Sequence, residues 1–459
     1  MRELLTELAL RHGVPGAQLA VWRDGALTTA EAGEQEAGSG RPVTAGTAFP
    51  LGSLTKPFTA TLAAMLVADG DLDLDGPVAE HLGELRGAPE FTLRQALGHT
   101  AGLAANTAEL PPGTTRARWL ARYAPELGVH RPGTVFSYSN PGYLIAGRLV
   151  EEITGLDWAE AVQAMLLRPL GHDAAAPVAP GHLVRPDAPP RPIAEQSVPP
   201  LEDPAAGLCL PAAGLALLGA AHLGLGPGAA LLDAGTARAM RADVTAGLAT
   251  GPFGLAEGWG AGWSRYGTWF GHDGTGDGAW SHLRADPETG TVVALTANGS
   301  TGARLWESLL GQLVDAGLDV GDHPRDATGD GPGPAPAPDP ERCAGHYANG
   351  DWSCRIEADG DGLLLAVGGA APVRLLTGPG HSFRTPSDGG PRTALPYLGR
   401  FLPDPATGRI DRVQITGRLC VRRSGPGAPP APPLRTPPGT PAPPGPAGGR
   451  CPPRSVPAS

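Results

Sequence analysis

The sequence predicts an α/β domain followed by a small all-β domain, and three observations predict it. Apolar residues recur at helical spacing in some segments of residues 1–320 and alternate or run together in others. A proline- and glycine-rich stretch, 321–340 (GDHPRDATGDGPGPAPAPDP), separates this part from the rest and reads as a linker. Short strand-and-turn patterns then fill 341–423, and a Pro-rich tail, 424–459, is expected to be disordered. A chain of 459 residues has room for two or three such units.

Residues 1–13 predict a short helix with Leu4, Leu5 and Leu8 on one side. Segments 17–23 and 26–32 flank Asp24-Gly25, a two-residue hairpin signal. In 54–69, Phe58, Leu62, Met65 and Leu66 fall at i, i+4, i+7 and i+8, and Gly70 ends the helix. A helix over 142–154 presents Leu144, Ile145, Leu149 and Ile153, with Gly155 as its cap, and Asp157 caps a further one before Pro169. Residues 180–204 contain eight prolines and predict a long surface loop. Strands are expected at 269–272, 278–286 and 291–297, the last two joined by the turn 287–290. Thr301 then caps a helix with Leu305, Leu309 and Leu313 inward. In the last unit, 354–358 and 363–367 flank 359–362 as a hairpin.

Composition excludes several functions. Lys+Arg 35 against Asp+Glu 46 gives a net charge of −11 without a basic cluster, so nucleic acid is not an expected partner. No apolar run reaches the length of a membrane span, and no membrane association is expected. The N-terminal MRELLTELALRHG lacks an apolar core and a cleavage site, so a cytoplasmic protein is expected. Five widely spaced cysteines fit a reducing compartment, and the absence of CxxC or HExxH spacing leaves no expected metal or cofactor.

Three clusters carry chemistry. In Gly52-Ser53-Leu54-Thr55-Lys56 the serine and lysine lie one helical turn apart, so the amine can reach the hydroxyl and act as its base. The bland alternative is a capping serine and a surface lysine, but Lys56 is the only lysine among 35 basic residues, and an arginine cannot take its place as a base. In Phe136-Ser137-Tyr138-Ser139-Asn140-Pro141-Gly142, Tyr138 can relay a proton and Asn140 can hold a carbonyl or an ammonium; the alternative is a turn with a core tyrosine. In Gly271-His272-Asp273-Gly274-Thr275-Gly276 the glycines let a substrate lie along a strand edge and free N–H groups to face an oxyanion.

In this order, Ser53…Lys56, Tyr138…Asn140 and His272…Gly274 resemble the serine β-lactamase and penicillin-binding-protein superfamily, in the branch with class C β-lactamases, D-aminopeptidases, DD-peptidases and related esterases. Val14-Pro15-Gly16, Asp71-Leu72-Asp73-Leu74-Asp75 and Leu97-Gly98-His99-Thr100-Ala101-Gly102-Leu103 match the same branch. The resemblance implies a five-stranded antiparallel sheet flanked by helices, with a helical subdomain closing one side of a cleft. It implies that Ser53 is acylated and that Lys56 is its base or orients it. Tyr138 would relay protons, Asn140 would hold substrate and lysine, and His272 would line the third wall with Gly274. The N–H groups of Ser53 and Thr275 would form the oxyanion hole. Whether Lys56 or Tyr138 takes the first proton stays open. His272 stands where a lysine is commoner, which lowers the expectation of strong β-lactamase activity. Asp273 is grouped with the substrate-binding residues, although strand alternation would turn it from the serine. The unit at 341–423 resembles the lipocalin-like barrels appended to some of these hydrolases.

The expected function is a serine hydrolase that cleaves a small ester, or an amide next to a D-residue, through acyl-Ser53. The alternative is a penicillin-binding-protein-type thioesterase that takes a carrier-bound peptidyl thioester and releases it by macrocyclisation. A third reading, a binding protein on the same fold, conflicts with the complete set of catalytic side chains.

Overall fold

The computed structural model describes residues 1–107, 110–172, 177–194, 198–248, 255–323, 339–386, 397–404 and 406–423; residues 324–338 of the expected linker and the whole expected disordered tail lie outside them. The first domain begins with a helix, α1 (Arg2–Arg11), and a hairpin, β1 (Gly16–Arg23) and β2 (Ala26–Gly33). Asp24 and Gly25 both take positive φ, 51° and 76°, as the two-residue turn requires. Later come β3 (Gly258–Trp259), β4 (Ser264–Tyr266), β5 (Trp269–Gly276), β6 (Ala279–Asp286) and β7 (Thr291–Ala297). They form one sheet in the order β2-β1-β7-β6-β5-β4-β3, antiparallel at every pairing. The five long strands are the expected sheet, and β4 and β3 add three and two residues at its edge.

Alternation sorts the sheet's side chains onto two cores. Ala20, Leu283, Val292 and Ala294 face a core that includes the helix α4 (Ala212–His222), while Leu19, Val293, Leu295 and Ala297 join Leu5, Leu8, Leu305, Trp306 and Leu309 from α1 and α5 (Gly302–Asp315). Covered on both sides, β7 is buried at every position. The helix α2 (Thr55–Ala68) is buried on nearly its whole circumference, packing on α3 (Pro141–Thr154). α2 is preceded by a 3-10 turn, Gly52–Leu54, so Ser53 lies just before the α-helix.

Two expectations need correction. Residues 180–204 hold a hairpin, His182–Arg185 with Ala188–Pro192, then a 3-10 turn Pro200–Glu202 and a helical turn Asp203–Ala206. Proline fits the outer edge of a two-stranded ribbon and the first turn of a helix, where its missing N–H has no partner to lose. Buried His182 anchors the hairpin, its Nδ1–H donating to Asn298 O (2.9 Å) and its Nε2 accepting from Ala37 N–H (3.1 Å). Thr301 does not cap α5 with its side chain; its hydroxyl donates to His12 O at 2.7 Å and ties down the end of α1.

The second domain is a nine-stranded antiparallel sheet whose edge strands, Val373–Arg374 and Leu376–Thr377, flank a single residue, so the sheet curls into a nearly closed barrel. Tyr347, Ile356, Leu365, Phe383, Phe401, Val413 and Ile415 fill it. The expected hairpin is Trp352–Asp359 with Gly362–Val367, turning at Gly360-Asp361. Cys209, Cys343, Cys354 and Cys420 are free thiols. Among the described residues no helix is long and apolar enough to cross a membrane.

Candidate active site

The three sequence clusters meet in one place, between the start of α2, the segment before α3, and β5. Lys56 is completely buried. Its Nζ lies 3.0 Å from Ser53 Oγ and donates to Ala205 O at 2.9 Å. The rings of Tyr138 and Tyr143 flank it, their centroids 5.1 and 5.5 Å away. Burial holds the Lys56 pKa well below its ordinary value; Arg418 pushes the same way and Glu202 opposes. A neutral amine beside a serine hydroxyl can accept its proton.

Tyr138 is also buried. Burial pushes its phenol up to about 12, against a hydrogen bond with Ser53 and the charge of Arg418. It is therefore a protonated donor at neutral pH, while Lys56 is the group moved toward neutrality.

The Tyr138 segment is held by a residue that sequence reasoning placed only in a matching segment. His99 O accepts from Ser137 N–H (2.9 Å), and His99 Nδ1 accepts from Ser139 N–H (3.0 Å). Between these bonds the imidazole stacks on the Tyr138 ring, centroids 4.1 Å apart and planes 28° from parallel. His99 adopts φ +58°, a backbone conformation that non-glycine residues seldom take. Burial keeps it neutral.

Asn140 lies beside Tyr138 at the start of α3, its N–H donating to Ala105 O (2.9 Å) and its Nδ2 to Asn106 Oδ1 (3.1 Å). The expected hold on Lys56 is not made here. Asn140 Oδ1 is buried without a hydrogen-bond partner among the described residues, and is the atom available to a substrate N–H.

On β5, alternation sends His272 and Gly274 toward the serine turn. A Cβ on Gly274 would fall 1.9 Å from Leu51 O and 2.8 Å from Leu54 N, so glycine is required for this close approach. His272 Nδ1 lies 2.6 Å from Asp273 O, a carbonyl that can only accept, so Nδ1 carries the proton and Nε2 presents a lone pair. Burial, reinforced by Lys56, lowers the His272 pKa to about 3. The third wall thus offers a neutral acceptor in place of a lysine cation.

Asp273, grouped above with the substrate-binding residues, turns to the other face. Its carboxylate accepts from His282 Nδ1 (2.7 Å) and from Arg284 (2.8 and 3.1 Å). Buried Arg284 also donates to Asp322 (2.6 Å), which takes the Trp306 indole N–H at 2.9 Å. Burial alone would raise the Asp273 pKa, but Arg284 and His282 outweigh it and hold the carboxyl well below the usual range. The network braces the back of the strand that carries His272.

The two segments expected to supply the oxyanion N–H groups are in contact. Gly52, at φ +53°, lies so close to Thr275 that a Cβ there would be 2.0 Å from Thr275 O and 2.9 Å from its N.

One further group arrives from the second domain. Thr416 and Gly417, both at positive φ, turn the chain between the last two barrel strands, and Arg418 follows with its guanidinium carbon 5.5 Å from the Tyr138 ring centroid. Nothing local in the sequence marks Arg418, because its partners lie some 280 residues earlier. Glu202, inside the segment expected to be a loop, and Ala205, just past its end, were missed for the same reason.

Comparison with known proteins identifies the family and the fold. A family profile described as Beta-lactamase matches residues 1–318. Penicillin-binding protein 4 of Amycolatopsis lactamdurans is 35% identical over 343 residues, 68% of this chain and 89% of that protein. The crystal structure of SurE superposes with a TM-score of 0.77 at 38% identity, covering 92% of this chain and 98% of SurE. A class C β-lactamase from Rhodobacter sphaeroides shares the fold at a TM-score of 0.54 and 22% identity, covering 68% of this chain and 98% of that one. The chain belongs to the beta-lactamase family of serine hydrolases.

Proposed function

We propose that this protein forms an acyl-enzyme on Ser53 from an ester or amide whose acyl part ends in a D-residue, and passes the acyl group to water. The observation that carries the reading is the buried Lys56 amine, 3.0 Å from Ser53 Oγ and depressed in pKa, next to a phenol that stays protonated. Neutral Lys56 takes the Ser53 proton as Oγ attacks the carbonyl. The N–H groups of Ser53 and Thr275 hold the oxyanion. Tyr138 gives its proton to the leaving group and regains one from the Lys56 ammonium. Deacylation runs the same transfers in reverse. The D-preference draws on SurE, which was also solved with D-Leu and matches this chain at 37% identity with a TM-score of 0.76.

A second reading makes the acceptor an amine of the bound peptide, so that a peptidyl thioester leaves as a macrocycle. The His272 Nε2 lone pair favours it, because a neutral acceptor on the third wall can receive a hydrogen from an attacking amine.

The test offers peptidyl thioesters that differ only in D or L configuration at the C-terminal residue, with mass spectrometry of enzyme and products. An adduct on Ser53 with the D-peptide, absent in Ser53→Ala, is expected. Linear acid indicates transfer to water, and a product lighter by one water indicates cyclisation. Equal adducts from both epimers would remove the D-preference, and no adduct on Ser53 would remove the mechanism.

A further inference from the structure

We propose that the C-terminal barrel is a working part of the catalytic centre, and that Asn349 is the positioning residue through which it holds Tyr138. The inference rests on the acyl-Ser53 reading above. Asn349 ends the strand Gly345–Asn349 and is completely buried. Its Nδ2 donates to Ser137 Oγ (2.8 Å) and to Leu419 O (2.7 Å), and its Oδ1 accepts from Ala105 N–H (2.9 Å). Leu419 N–H donates to the same Ser137 Oγ at 3.1 Å, and Tyr138 N–H donates to Gly417 O at 2.8 Å. Ala105 in turn holds Asn140 through its carbonyl.

One amide therefore joins the barrel to the residue before Tyr138 and to the loop that supports Asn140. The tyrosine segment is gripped on one side by His99 and on the other by the barrel. Gly417 shows how closely the turn is inserted: at φ +78°, a Cβ on it would lie 2.3 Å from Leu255 Cδ1 and 3.6 Å from Phe136 Cε1. Buried hydrogen bonds of this kind cost the full desolvation of each orphaned group when one partner is removed. The position of the phenol thus depends on the seam between the domains.

The chemistry makes this measurable. In acylation the bond from carbonyl carbon to leaving group breaks, and the leaving atom takes the Tyr138 proton. A displaced phenol slows that step in proportion to the leaving group's need for a proton. Fluoride and nitrophenolate leave unprotonated, whereas an alkoxide does not.

The experiment compares full-length wild type with Asn349→Ala, Ser137→Ala, the double variant and Tyr138→Phe. Each is assayed for labelling by a fluorophosphonate, for turnover of nitrophenyl and alkyl esters of one acyl-D-amino acid, and for melting temperature. For Asn349→Ala we expect labelling within about threefold of wild type and kcat on the alkyl ester down about fiftyfold, with a smaller loss on the nitrophenyl ester. Ser137→Ala, which removes the same acceptor from the other domain, should show the same pattern, and the double variant should be no worse than the worse single. Equal losses on all probes, or none, would overturn the inference. If wild type fails to label on Ser53, the underlying reading falls and takes this one with it. If Tyr138→Phe shows the leaving-group dependence and neither seam variant does, only this inference falls.

Discussion

Replacing Arg418 by methionine should move the acid limb of the pH–rate profile toward alkaline pH. Lys56 Nζ lies 5.1 Å and the Arg418 guanidinium carbon 5.5 Å from the same Tyr138 ring centroid. The two cations are therefore no more than about 11 Å apart, and at an effective dielectric of ~20 their repulsion is worth about 1.5 kcal/mol, roughly one pKa unit. Arg418 lowers the pKa of Lys56 and that of Tyr138. Without it both rise; the acid limb, set by loss of the Lys56 proton, moves toward alkaline pH, while loss of the Tyr138 proton, already pushed up to about 12, stays above the range assayed. The measurement is kcat/KM for a nitrophenyl ester of an acylated D-amino acid from pH 5 to 10, since this ratio reports the free enzyme's titrations. A variant that is only less well folded loses height without moving this limb. A stationary acid limb, or a shift toward acid, would refute the assignment of Lys56 as the base tuned by the barrel's arginine.

Two other substitutions bear on the same architecture. Lys56→Arg keeps the charge and removes the base, so acylation of Ser53 by a fluorophosphonate should fall about a thousandfold, and a wild-type rate would end the role given to the amine. Asp273→Asn should cost about 3 kcal/mol of stability at pH 7 in urea unfolding, because it leaves Arg284 half-paired in the core. Since the folded Asp273 pKa is depressed, its contribution is complete above the ordinary aspartate value near ~4 and is lost as pH falls through the folded value, so the gap to wild type should narrow in acid. A gap that widens there would contradict the network.

What the sequence disclosed follows the range of the interactions involved. Helix α2 was legible from Phe58, Leu62 and Leu66, and the Ser53–Lys56 pair from its i, i+3 spacing across the 3-10 turn into that helix, because both depend on residues within eight positions. The β1–β2 hairpin was legible for the same reason, through Asp24-Gly25. Asp273 was grouped with the binding residues on motif position, whereas strand alternation, a local rule, already pointed it away; the strand's geometry prevailed. Ala205, Glu202 and Arg418 carried no local sign. Each acts on Lys56 only because the chain returns to the site after about 150 or more residues, and proline content hid Glu202 inside an expected loop that ended just before Ala205.

The placement of charge connects these observations. In this chain the strand that lines the third wall has a histidine held neutral by burial, with its one ring proton on Nδ1, so it contributes a lone pair and no fixed charge. A permanent cation beside the phenol comes instead from the barrel, through a turn whose glycine packs against Leu255 and whose carbonyl holds the phenol's own backbone. A substrate anion would therefore be met from the barrel side of the cleft and a substrate N–H by His272 Nε2 on the sheet and by Asn140 Oδ1 at the start of α3, which has no hydrogen-bond partner among the described residues. A peptidyl group fits this polarity because it brings N–H groups to the sheet. On the proposed mechanism its leaving group would depart beside Tyr138 and Arg418, where a proton and a positive charge are both at hand.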